Sequence, residues 1–94
     1  MISIVYFTRV MPAPLADELG RRGINCYEVL AISEVFYLCE QPEINLVVID
    51  PSVDDERAKT VQQRFSTLRL HDGATVEDTM WELTNLLGQA PAIQ

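Results

Sequence analysis

The run Ile44-Asn45-Leu46-Val47-Val48-Ile49, closed by Asp50-Pro51, constrains this chain more than any other segment. Its apolar residues are Ile44 and Leu46 to Ile49, mostly β-branched. A strand of that composition is one covered on both faces, as in a parallel α/β sheet. Ligands and chemistry in such sheets gather at the carboxyl ends of the strands, which makes Asp50 a candidate functional position.

The 94 residues are enough for one domain, read as residues 1–88 with a loose tail at 89–94. Fourteen acidic and seven basic residues give a formal charge of −7, which opposes approach to nucleic-acid phosphates and anionic lipid. Neither nucleic acid nor membrane is therefore an expected partner. The longest apolar runs are too short to cross a bilayer, and Met1 leads into a strand pattern without a basic leader, so a cytoplasmic location is expected. One histidine with no paired ligand spacing argues against zinc, and four scattered glycines make no phosphate loop, so neither metal nor cofactor is expected. Cys26 and Cys39 lie in apolar patterns and read as buried thiols, with a disulfide between them undecided by sequence.

Strand and helix patterns alternate four times. Residues 2–7 are β-rich, and the prolines at 12 and 14 suit a loop into a helix spanning residues 14–22. Leu15, Ala16 and Leu19 give that helix its apolar face, and Gly23 stands as the residue just past its end. A second strand covers residues 24–29. Ser33 followed by Glu34 reads as a helix N-cap, Val35, Leu38 and Cys39 as the buried stripe, and Pro42 as the stop. After the Asp50 strand, a third helix is expected from Asp55 to Phe65 with Ala58, Val61 and Phe65 inward. Residues 67–71 alternate polar and apolar, as a half-exposed edge strand does. Thr75 opens a last helix with a capping-box pattern, the stripe Val76, Met80, Leu83 and Leu87, and Gly88 as its cap.

Short connections between alternating strands and helices predict a parallel sheet with helices on both faces. The fold expected is therefore α/β, a flavodoxin-like three-layer sandwich with a four-stranded parallel sheet in the order 2-1-3-4. The most apolar strand belongs inside and the amphipathic one outside. That order brings the turns after Phe7 and after Asp50 together at the switch point.

Over residues 2–88 this pattern resembles the receiver domain of two-component response regulators, carried by the hydrophobic first strand, the helix ending near Gly23, and Asn45-Leu46-Val47-Val48-Ile49-Asp50. The resemblance implies signal transduction and a phosphate-accepting aspartate at Asp50. Receivers also hold magnesium with an acid pair at the end of the first strand, where this chain has Val5-Tyr6-Phe7-Thr8-Arg9. Their fifth-strand lysine has no counterpart, because the sequence stops after the fourth helix pattern. Arg9 is expected to salt-bridge Asp50 and fill the place of the metal. The chain is similar as well to the small B components of sugar phosphotransferase systems, but their nucleophilic cysteine is missing from Thr8-Arg9-Val10-Met11-Pro12.

Other residues with chemistry to offer are Ser52 and Thr8 as hydroxyls and His71 as a base beside Asp72. Adjacent strand residues point to opposite faces, so an exposed turn explains His71-Asp72-Gly73 with fewer assumptions. Trp81 falls about 100° round the helix from Met80. It therefore either wraps the border of the core or stands exposed beside the edge strand, where with Leu70 and Arg69 it forms a candidate interaction surface.

The leading expectation is a non-catalytic, receiver-like regulatory module that binds a protein partner or forms a homodimer and is not phosphorylated. The alternatives are an atypical phosphoacceptor using Asp50 with Arg9, and a small-molecule or enzymatic site in the switch-point crevice using Arg9, Ser52 and His71.

Overall fold

The computed structural model describes residues 2–10, 15–73 and 75–88. The elements run β1 (Ser3–Phe7), α1 (Leu15–Arg21), β2 (Asn25–Val29), α2 (Ile32–Cys39), β3 (Ile44–Ile49), α3 (Asp55–Gln62), β4 (Thr67–Arg69) and α4 (Val76–Gly88). All four strands are parallel, in the order β2-β1-β3-β4. This is the flavodoxin-like α/β arrangement that the alternating pattern predicts.

The strands' two-residue period divides the core in two. Ile4, Tyr6, Leu46 and Val48 face one side, where Leu19 of α1 and Met80 and Leu83 of α4 cover them. Val5, Phe7, Val47 and Ile49 face the other, against Val35 of α2 and Ala58 and Val61 of α3. With helices on both faces and a neighbour on each side, every residue of β1 is buried. Cys26 packs with the first cluster and Cys39 with the second, so the sheet separates the two thiols and no disulfide joins them.

Local chemistry sets several element ends. The Ile24 N–H donates to the Leu19 carbonyl and the Gly23 N–H to the Gly20 carbonyl, both at 3.0 Å, closing α1 in a Schellman motif. Gly23 has φ +78°, which a residue without Cβ adopts freely. Asp54 caps α3 by accepting the Arg57 N–H, and the Thr75 hydroxyl accepts the Asp78 N–H at 3.0 Å at the head of α4.

Three boundaries differ from the sequence reading. Ser33 is not the cap of α2, which starts from an extended Ala31 whose carbonyl accepts the N–H groups of Glu34 and Val35. The helix begins two residues before a Ser33 cap would allow, and no side chain caps it. Helix α3 stops at Gln62, and a final turn carries Phe65 onto the second cluster, with its ring 5.7 Å from that of Phe36. Strand β4 is shorter than residues 67–71, because beyond the Leu70 N–H bond to the Ile49 carbonyl the chain leaves β3.

β1 and β3 are joined through an irregularity: Ser3 pairs with Ile44 and Ile4 with Leu46, leaving Asn45 over. Its side-chain Oδ1 accepts the Ser3 N–H at 3.0 Å and replaces the missing ladder bond. The expected roles of the prolines at 12 and 14, of the Leu15, Ala16 and Val76 side chains, of the Gly88 cap and of the 89–94 tail fall outside the described residues. No described helix is long and apolar enough to cross a membrane.

Candidate functional site

The carboxyl ends of β1 and β3 lie side by side, with Phe7 paired to Ile49 and the Asp50 N–H donating to the Phe7 carbonyl at 2.9 Å. This register brings Thr8, Arg9, Asp50 and Ser52 into one group at the switch point. The turn Asp50-Pro51-Ser52-Val53 is closed by the Val53 N–H on the Asp50 carbonyl, and Val53 is buried beneath it.

Asp50 is held at both carboxylate oxygens. Its Oδ2 accepts the Ser52 N–H at 2.9 Å, an Asx-type turn that a short acidic side chain forms readily. Its Oδ1 accepts the hydroxyl proton of Tyr6, which rises from the α1/α4 side of the sheet and is only 2% exposed. Beside it, the Thr8 and Ser52 hydroxyls lie 3.1 Å apart, and Ser52 Oγ accepts the Arg9 N–H at 3.0 Å. Burial pushes the Asp50 carboxyl up, but hydrogen bonds from the Ser52 side chain, the Tyr6 hydroxyl, the Ser52 N–H and the Thr8 hydroxyl hold it below its ordinary range. Tyr6 is pushed strongly upward by burial and then by Asp50. The pair is thus a neutral phenol donating to an anionic carboxylate at neutral pH.

The expected Arg9–Asp50 salt bridge does not form. The Arg9 guanidinium reaches Asp54 at 3.5 Å, and Asp54 is held more closely by Arg57 at 2.8 Å. The reason is competition: the Tyr6 phenol and the Ser52 N–H already occupy the two Asp50 oxygens, with the Thr8 and Ser52 hydroxyls beside them, while Asp54 at the head of α3 is exposed and open to a long side chain. Arg9 joins the cluster only through its backbone.

The magnesium implied by the receiver resemblance does not suit these groups. One carboxylate with a donor on each oxygen, two mutually bonded hydroxyls and a neighbouring arginine do not make the several free anionic oxygens that such an ion requires. Among the described residues no group of three His, Cys, Asp or Glu could hold a metal ion.

The remaining candidates are dispersed. His71 is exposed and lines a separate hollow of about 370 Å³ with Pro51, Arg69, Leu70 and Asp72, making no hydrogen bond to the Asp50 group. Arg69 is tied to Asp55 in an ion pair that spans β4 and α3. Leu70 cannot serve as an interaction surface: at 8% exposure it belongs to the core beneath α4, because its place past the end of β4 turns the side chain inward. Trp81, at 68%, is the most exposed large apolar residue described. Of its two readings the exposed one holds.

Tyr6 belongs to the site, although the sequence pattern marks it only as part of a β-rich run. A signal was available: in a central strand a buried phenol needs a partner for its hydroxyl, and even-numbered residues of β1 share a face with Asp50.

Comparison of the chain with protein-family models, curated proteins and solved structures gave no match.

Proposed function

We propose that this chain is a receiver-like regulatory module that works by binding a protein, with Asp50 acting as an internal tie in place of a phosphate acceptor. One observation carries this reading: each oxygen of the Asp50 carboxylate already accepts a hydrogen bond from the protein, and the nearby arginine is turned away to Asp54. A carboxylate so engaged is a weak nucleophile, and among the described residues no cation is turned toward it to neutralise an incoming phosphoryl group. The exposed indole of Trp81 on α4 supports a role in protein contact, since large apolar side chains left in water mark association surfaces when they cluster with other contact features.

The test is to add acetyl phosphate or beryllofluoride with magnesium and follow the backbone amide resonances of Arg9, Asp50, Ser52 and Val53. Spectra that do not move are expected. Saturable shifts confined to these four amides would instead establish an atypical phosphoacceptor.

A further inference from the structure

We infer that the face of α4 around Trp81 docks a basic, amphipathic segment of another protein, with the indole against an arginine or lysine and the neighbouring carboxylates paired to it. This rests on the protein-binding reading above and specifies the partner's chemistry.

The exposure of Trp81 does not come from a loosely attached helix. Met80 beside it and Leu83 are both buried against the sheet, so α4 is seated and the tryptophan points away by position. Hollows flank the indole on either side. One, of about 630 Å³, runs toward α1 and includes Glu18, Arg22, Glu77 and Met80. The other, of about 540 Å³, opens toward the turn after β4 and is walled by His71, Asp72, Gly73, Asp78 and Glu82.

Charge selects the occupant. No lysine or arginine lines the second hollow, and its carboxylates, Asp72, Asp78 and Glu82, make no ion pair among the described residues. Among the described residues the one cation lining the first hollow, Arg22, is already held by Glu18 at 3.2 Å, and Glu77 makes no ion pair. Helix α4 contributes acids in its first turn and no base in its last. A π-face bordered by unpaired carboxylates attracts a guanidinium or ammonium both through the ring quadrupole and through direct charge. A second copy of this chain is a poor occupant of the same face, because a two-fold contact would set these acids against themselves in a molecule of formal charge −7.

Shape selects a segment over a small ion. Glu77, Trp81 and Asn85 follow one another at four-residue spacing along one side of α4, a track about 12 Å long. An open track of that length with an aromatic at its middle suits a helix laid beside it.

Trp81 is the chain's only tryptophan, so its fluorescence reports on the surface directly. The full chain is titrated with a synthetic amphipathic peptide of arginine and leucine, and with the same peptide carrying glutamate in place of arginine. A saturable change in emission is expected with the arginine peptide alone, weakening as salt is added. The double variant Asp78→Asn, Glu82→Gln should bind roughly tenfold more weakly, and calorimetry should show a comparable loss for Trp81→Ala. No saturable change with the arginine peptide, equal binding of the two peptides, or full affinity in the double variant would overturn the proposal. Self-association in sedimentation that Trp81→Ala abolishes would overturn it too, in favour of a second copy, while leaving the protein-binding reading in place. Phosphate uptake at Asp50 would remove that broader reading without altering the titration.

Discussion

Tyr6 in the central strand donates its hydroxyl proton to Oδ1 of Asp50 at the end of the neighbouring strand, so the Asp50 carboxylate is anchored from inside the core. The consequence is energetic as well as chemical, since the bond joins β1 to the turn after β3 at the level where their ladder ends. Tyr6→Phe should lower stability in urea denaturation by about 1 kcal/mol, the usual worth of one such bond. Asp50→Ala should cost more, about 2 kcal/mol, because it leaves the buried phenol and the Ser52 N–H without an acceptor. Arg9→Met should change stability by no more than about 0.5 kcal/mol, its ion pair with Asp54 being exposed and long. A large loss from Arg9→Met with none from Tyr6→Phe would mean that the salt bridge, and not the phenol, holds Asp50.

The same pair should shape the pH profile at both ends. The Asp50 carboxyl is depressed below its ordinary 3.8, against the upward push of burial, so the unfolded chain binds more protons just below that value. Its contribution is complete above about 3.8 and is lost as pH falls through the folded value. Tyr6 is raised above its ordinary 10.0, first by burial and then by Asp50, so its contribution is complete below 10.0 and is lost as pH rises beyond it. Stability measured from pH 3 to 11 should fall at both limits, and Tyr6→Phe should flatten the alkaline fall. Parallel alkaline limbs in the two proteins would refute the assignment.

Asn45 is expected to matter more than an exposed strand residue normally does. Its Oδ1 is the acceptor for the N–H of Ser3, a buried residue, at the point where β1 and β3 slip by one position. Asn45→Ala should cost about 1 to 2 kcal/mol, and hydrogen exchange at the Ser3 amide should quicken. Unchanged protection at Ser3 would show that water replaces the side chain.

Leu70 and Trp81 should respond in opposite ways. Leu70→Lys forces an ammonium against the core under α4 and should destabilise the fold by about 2 kcal/mol, moderated by the lysine stem reaching for solvent. Trp81→Ala should shift stability by no more than about 0.5 kcal/mol, since its indole is mostly in water. Thermal melts of the two variants decide the matter, and a tryptophan variant that melts far below the parent would place Trp81 in the core after all.

What could be read from the sequence was whatever depends on periodicity and on backbone chemistry. The unbroken run at Ile44 to Ile49 marks a strand covered on both faces, Gly23 marks a helix end that needs positive φ, and the spacing of polar breaks marks four strand-helix units; together these imply the sheet order. They are legible because each arises from neighbours a few residues apart. The partner of Asp50 was not, because Tyr6 and Arg9 both lie more than forty residues before it in the sequence, and which one reaches the carboxylate depends on sheet face and register. Charge complementarity alone favoured Arg9. Tertiary structure chose Tyr6, since a phenol already buried on the right face pays little further entropy to make the bond, whereas an arginine in solvent finds the exposed Asp54 first. Leu70 and Trp81 were decided in the same way: both are apolar residues near an edge, and only the packing of α4 over β4 determined that one is covered and the other is left in water.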